Sequence, residues 1–437
     1  MNQAMEFPRY DSYKPANSSW LLEVPGHWKL LPGLAVLKAN KDKNVGMIEE
    51  TVLSLSYGKV IIKPPEKLTG LVPESFETYQ IINPNDIIIR PTDLQNDHTS
   101  LRTGFAKDRG IITSAYICLR PEPSHNPAFI HYLLHAYDLL KVFYGMGSGL
   151  RQNLDYRDFK RLELCIPPRD EQDRIVSFLD QKTAEIDEAV AKKQRLIDLF
   201  KEQKTILVNQ TVTKGLNPNV PMRDSGVEWI GAVPEHWEVK RLRYLGTTQN
   251  GISASAEYFG SGFPFVSYGD VYNNRELPKA VNGLAKSTVH DRDQYSIVKG
   301  DVLFTRTSET VEEIGFSSTC METIENSTFA GFLIRFRPRK GRLFPGYSKY
   351  YFSAQLHRSY FVGEMNLVIR ASLSQELLKK LPVLIPPYAE QESIFEFLET
   401  ESAKIDNVIV LQRQLIDSLK EYKMILISEA VTGKIKL

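Results

Sequence analysis

Two histidines four residues apart, His131 and His135 in HYLLH, are the first residues of this chain whose spacing could do chemistry. On a helix such a pair shares a face and can grip one zinc ion. The glutamate that HExxH places beside the first histidine as general base is missing, so the pair reads as core or surface histidines. The glycine-rich YGMGSGLRQ, with Gly145, Gly147 and Gly149, could cradle a phosphate. No Walker lysine follows it and no strand directly precedes it, which leaves a flexible loop. LIPPYAEQ offers the Pro-Pro-Tyr of an adenine-methylating site, but Ile385 stands where a polar side chain must hold the base's amino group. No glycine fingerprint follows a strand to hold a methyl donor. Cys118, Cys165 and Cys320 are too widely spaced for a metal pattern or a disulfide framework, which points to a reducing, cytoplasmic setting. The reading is a non-enzyme, with no catalytic residue, no metal site and no cofactor of its own.

The elements around these residues carry a clearer message, because the chain repeats itself. IPPRDEQDRIVSFLDQKTAEIDEAV begins at Ile166, and IPPYAEQESIFEFLETESAKIDNVI begins 219 residues later at Ile385. Aligned without gaps to Thr213 and Thr432, the copies share 21 of 48 positions. Upstream, RQNLDYRDFKRLELCIPP lies over RASLSQELLKKLPVLIPP, pairing Arg151 with Arg370 and Leu154 with Leu373. A second echo opens each half: Trp20, Pro25, His27 and Trp28 fall over Trp229, Pro234, His236 and Trp237. Between the echoes the two halves differ, which describes one framework with two contents.

Each long echoed segment reads as a helix. Pro167–Pro168 and Pro386–Pro387 stop what precedes them. Asp170 is the expected N-cap of the first, whereas Ala389 offers the second no side-chain cap. Steps of 3.5 residues give an apolar seam through Ile175, Leu179, Ile186, Leu196 and Phe200, and through Ile394, Leu398, Ile405, Leu415 and Leu419. Polar residues interrupt it at Lys182/Glu401 and Lys193/Gln412, and the natural partner for each helix is the other. The unlike segments are strand-rich: TVLSLSYGKVIIKP, YQIINPNDIIIRP and GIITSAYICLRP, then FPFVSYGDVY, YSIVKGDVLFTRT and FAGFLIRFRP. HNPAFIHYLLHAYDLLKVFYG and PGYSKYYFSAQLHRSYFVG read as one helix each, and Asp155 and Ser374 as caps of short helices.

The fold expected is α+β: two strand-rich domains alternating with two long helices that pair as an antiparallel coiled coil, in a pseudo-two-fold internal repeat. The divisions are a tail over 1–19, a first domain over 20–166, a first helix over 167–214, a linker over 215–228, a second domain over 229–385 and a second helix over 386–437. No apolar run approaches the roughly 20 residues of a membrane span. A net charge of +1 argues against a sticky polycation but not against nucleic acid, since a local patch suffices. IRFRPRKGR, with Arg335, Arg337, Arg339, Lys340 and Arg342, is one such cluster. Two similar modules on paired helices suit a two-fold-symmetric duplex with half-sites about one turn, roughly 34 Å, apart.

VPEHWEV, RQNLDYRDF or RASLSQELL, and IPPxxEQxxI…FL…IDxxI recur in order in both halves and resemble the specificity subunit of type I restriction–modification systems. The resemblance covers essentially the whole chain. It implies two variable target-recognition domains that read a bipartite, asymmetric DNA sequence with a fixed gap, and two conserved helical regions that space them. It also implies docking of two methyltransferase subunits and, in a restriction complex, two ATP-driven endonuclease subunits. S-adenosylmethionine, ATP and Mg2+ would then belong to those partners. Under it, DNA-binding candidates are Arg90, Thr92, Arg102, Lys107 and Arg151 in the first module, and Tyr268, Arg306, Thr307 and Arg370 in the second. His27, Trp28, His236 and Trp237 read as framework. The competing readings are a coiled-coil scaffold without DNA readout and a stand-alone methyltransferase.

Overall fold

A computed structural model describes residues 7–18, 20–64, 66, 75–149, 152–308, 313–364 and 371–437. Two compact units divide the chain: Met1–Gln194 with Arg413–Leu437, and Arg195–Gln412. The division cuts both long helices, Arg169–Lys214 and Tyr388–Val431. Each unit therefore holds one strand-rich module and a segment of each helix.

The two modules share one central sheet. In the first, a four-stranded antiparallel sheet runs Leu37–Ala39, Ile117–Pro121, Ile87–Ile89, Thr103–Phe105. In the second the order is Gly246–Asn250, Leu333–Pro338, Val302–Thr305, Ser317–Thr319. The reason lies in the sequence echoes. NDIIIRPT and GDVLFTRT each carry a buried aspartate as second residue, followed by apolar residues that suit a buried strand. Asp86 takes a two-pronged ion pair from Arg120 at 2.8 and 2.9 Å, and Asp301 takes one from Arg337 at 2.7 and 2.6 Å. A smaller pair also recurs: Lys29–Pro32 with Glu163–Ile166, and Glu238–Arg241 with Pro382–Ile385.

The helix Pro127–Leu139, capped by Asn126, lays Phe129, Ile130, Leu133 and Tyr137 into the first module's core. Its counterpart is not the single helix expected. PGYSKYYFSAQLHRSYFVG divides into Pro345–Phe352 and His357–Glu364. The break follows Ser353, whose hydroxyl donates back to the Lys349 carbonyl at 2.6 Å, a bond that competes with helix propagation. Two further expectations are corrected. SYGDVY does not extend the strand Phe259–Val266 but forms a short helix, Tyr268–Tyr272, because Ser267 and Asp270 complete a capping box. Asp170 lies inside the first turn of a helix that already starts at Arg169.

The opening echoes form a lock that repeats in each unit. Glu171 accepts from Tyr10 Oη at 2.5 Å and Trp28 Nε1 at 3.0 Å, and meets His27 Nε2 at 2.8 Å. Burial pushes its pKa up, but these donors outweigh that and hold it below the usual range. Glu390 meets His236 Nε2 at 2.8 Å and Trp237 Nε1 at 3.1 Å. The neighbouring glutamine fixes the proline corner: Gln172 donates to the Pro167 carbonyl and Gln391 to the Pro386 carbonyl, both at 2.9 Å. Their side-chain oxygens accept from Asn126 N and Phe344 N, each at 2.8 Å. So the EQ of each helix start is the clamp that seats its own module.

The far end of the other helix completes each lock. A Cβ on Gly433 would stand 2.4 Å from Pro25 and 3.3 Å from Trp28, and one on Gly215 would stand 3.2 Å from Trp237. Both glycines have positive φ, at 73° and 72°, as helix-ending glycines do. Antiparallel pairing follows within each unit, where Lys423 bridges to Asp187 at 2.7 Å in the first and Lys204 to Asp406 at 2.6 Å in the second.

Burial along the expected seam is uneven. Ile175, Leu179, Ile186, Ile394 and Leu398 are buried, and Phe200, Ile405 and Leu419 are half-buried. Leu196 and Leu415 are 38% and 45% exposed, whereas their neighbours Ile197 and Ile416 are 1% and 7% exposed. The buried positions recur every eleven residues: Ile175, Ile186, Ile197 and Val208, and Ile394, Ile405, Ile416 and Ile427, with Ile405 half-buried. Eleven residues in three turns follow the straight helix closely, so a count at 3.5 drifts off the buried face within six steps.

Candidate nucleic-acid interface

Both modules end their central strand in the same setting. Ile87–Ile89 runs into Arg90, Pro91 and Thr92; Val302–Thr305 runs into Arg306 and Thr307. The segment that echoes as RQNL and RASL meets each strand end through main chain. Leu154 N donates to the Pro91 carbonyl at 2.9 Å, and Leu373 N to the Arg306 carbonyl at 2.7 Å. Immediately after, Asp155 caps Tyr156–Arg161 and Ser374 caps Gln375–Lys380, as expected from sequence. The second module adds a short ladder of Thr307–Ser308 with Ala371–Ser372.

Four of the candidates fall on these ledges, two in each module. Thr92 is exposed and Arg90 half-exposed beside Asp97, Nη1 to Oδ2 at 3.6 Å. Arg306 and Thr307 occupy the equivalent end of the second sheet and are half-buried. Tyr268 stacks on Tyr272 at 5.7 Å, and Tyr272 faces Phe316 at 5.3 Å. Lys107 is exposed but follows Phe105, which pairs with Ile87, so it sits at the opposite end of the first sheet from Arg90 and Thr92. Arg151 and Arg370 lie outside the described residues.

Arg102 is the correction. It is 0% exposed and cannot meet a surface ligand directly as folded. Its guanidinium donates to the carbonyls of Thr92 at 2.6 Å, Asp97 at 2.5 Å and Asp93 at 3.3 Å. Its own N–H donates to Asp138 Oδ2 at 2.5 Å. Burial raises the Asp138 carboxyl to about 6, against the pull of that N–H and of nearby cations. Asp97 moves the other way, to about 2, because the Ser100 and Thr99 amides donate to it.

The basic cluster IRFRPRKGR divides similarly. Arg335 is buried and donates to the Ser296 carbonyl and Gln249, and Arg337 is taken up by Asp301. Arg339, Lys340 and Arg342 remain exposed. His131 and His135 pack ring on ring at 6.0 Å, with His135 Nδ1 3.0 Å from Thr103 Oγ1. The sequence reading missed Glu171 and Glu390 as partners of the His-Trp doublets. The available signal was that both doublets and both glutamates recur together.

Against known protein families, residues 38–196 and 234–421 match the type I restriction modification DNA specificity domain. The chain belongs to that family. Each match takes in most of one module and most of the helix after it. Among curated members, the EcoKI specificity subunit of Escherichia coli K12 is 24% identical, covering 91% of this chain and 88% of its own. The MjaVIII specificity subunit of Methanocaldococcus jannaschii is 21% identical over 99% of this chain and 98% of its own. Two solved structures share the fold. One, from work on assembly and conformational transition of the type I R-M system, has a TM-score of 0.70 at 15% identity and covers 94% of this chain and 99% of that one. The other, the HsdS subunit of Thermoanaerobacter tengcongensis, has a TM-score of 0.54 at 15% identity, covering 94% and 98%. Among the described residues, no helix of this specificity-family chain is long and apolar enough to cross a membrane.

Proposed function

We propose that this chain is the DNA-reading, non-catalytic subunit of a type I restriction–modification complex and that each module reads one half of a bipartite, asymmetric target. The observation that carries this is the recurrence of one sheet, one Glu–Trp lock and one strand-end ledge in two modules whose ledge residues differ. Similar frameworks with unlike reading edges suit two unlike half-sites. Phosphate contacts from lysines and arginines supply affinity, and side chains at base edges supply choice.

In this reading the long helices set the spacing of the half-sites and dock two methyltransferase subunits, with two endonuclease–translocase subunits in a restriction complex. S-adenosylmethionine, ATP and Mg2+ serve those partners. The test is genome-wide mapping of N6-methyladenine in a methylation-free host carrying this chain, its methyltransferase, or both. A two-part motif with a fixed gap, seen only with both, is the expected result. Methylation by this chain alone would assign it an active site, and no motif with an assembled complex would favour a scaffold.

A further inference from the structure

The loop between Ile87–Ile89 and Thr103–Phe105 is built around Arg102, a side chain with no exposed surface. Burying a guanidinium costs free energy unless its donors are satisfied. Here they are satisfied by the loop's own carbonyls, those of Thr92, Asp93 and Asp97, and by Tyr144 Oη at 3.3 Å. A planar fork in a set of carbonyls fixes a backbone path in a way that surface side chains cannot. The loop is also tied to the RQNL segment, through Leu94 N to the Gln152 carbonyl at 3.3 Å and Asp93 N to Asn153 Oδ1 at 2.9 Å.

What this rigid loop offers to solvent is amide and hydroxyl chemistry. Thr92, Gln95, Asn96, His98 and Thr99 are exposed. Of its two acids, Asp97 lies 3.6 Å from Arg90 and 3.8 Å from Arg102, and Asp93 accepts from Asn96; the two arginines offset their charge. A charge-balanced, amide-bearing loop has little to offer phosphates and much to offer base edges. Asn96 spends one donor on Asp93 Oδ1 at 2.8 Å and retains a second donor and its oxygen. At the equivalent place, where Arg90 N donates to the Arg102 carbonyl, the second module has Thr305 N donating to the Phe316 carbonyl, and there Arg358 donates to the Ile314 carbonyl.

We propose that the loop 92–101 is the base-reading element of the first module. Gln95 and Asn96 pair with adenine N6 and N7 in the major groove, and Arg102 is the positioning residue that holds them. This rests on the reading in the preceding subsection. The test maps methylation for the assembled complex carrying wild-type chain, Gln95→Ala, Asn96→Ala or Arg102→Lys. In each variant one half of the motif should relax at an adenine position, with methylation of mismatched sites rising roughly ten-fold, and the other half should stay unchanged. Unaltered motifs in both alanine variants would overturn the proposal. So would loss of methylation everywhere from an assembled complex, which would assign the loop to general affinity. An Arg102→Lys chain that melts earlier but keeps its base choice would remove the positioning role. Failure of the wild-type chain to give a two-part motif would instead sink the specificity-subunit reading, and the loop proposal with it.

Discussion

Glu171 and Glu390 hold equivalent places but unequal loads, and the difference is measurable. Glu171 takes three donors on a nearly buried carboxylate, whereas Glu390 takes two and is more exposed. Glu171→Ala should therefore cost on the order of 3 kcal/mol, and Glu390→Ala about half that, read as unfolding free energies. Equal losses would argue against the lock as described. Histidines set a second residue-scale expectation. Burial holds His131 and His357 near 3 and His135 near 4, below the ordinary 6.5. The folded state thus favours their neutral forms, so their contribution is complete above pH 6.5 and is lost as pH falls towards 4 and 3. Each costs up to about 1.4 kcal/mol per pH unit in that window. Asp138, raised to about 6, runs in the opposite sense between pH 6 and 4 and offsets one of the three. Melting temperature should accordingly fall from pH 6.5 to 4.5. A flat profile would show those imidazoles to be solvated. Arg370→Ala, at a position echoed by Arg151, should weaken DNA binding at moderate salt and leave partner assembly intact. Unchanged affinity would remove that residue from the interface.

At the scale of elements, the eleven-residue repeat decides which side of each long helix is the seam. Ile197→Glu places a charge where the side chain is 1% exposed and should cost about 3 kcal/mol or more. Leu196→Glu, one residue away and 38% exposed, should cost less than about 1 kcal/mol. Thermal unfolding of the two variants compares them directly. Similar losses would return the seam to a 3.5-residue spacing. The capping boxes and the Ser353 break show the same logic locally, since short side chains that bond their own backbone decide where helices begin and stop.

At the scale of the molecule, the proposal that the helices set half-site spacing has a length-dependent consequence. Removing eleven residues from each long helix preserves the buried face and shortens each by about 16 Å. The gap in the methylated motif should then shrink by roughly five base pairs, with both half-sites unchanged. An unaltered gap, mapped by methylation with the complex intact, would show that spacing is set elsewhere.

Much of the organisation was legible in the residues. The repeat of IPPxxEQ and of His-Trp, the short capping residues Asp155 and Ser374, and the strands around Asp86 and Asp301 follow from local patterning, because turns, caps and apolar runs are written in neighbouring residues. What needed the tertiary structure were the long-range choices. Leu196 and Ile197 are equally apolar, and only tertiary packing decides which is buried. Arg102 looks like any surface cation until the loop closes over it. Glu171 meets Trp28 and Gly433 meets the same tryptophan only once segments well over a hundred residues apart are folded together. Local sequence fixes the elements; which charges are buried and which remain to meet DNA depends on contacts that no window of the sequence contains.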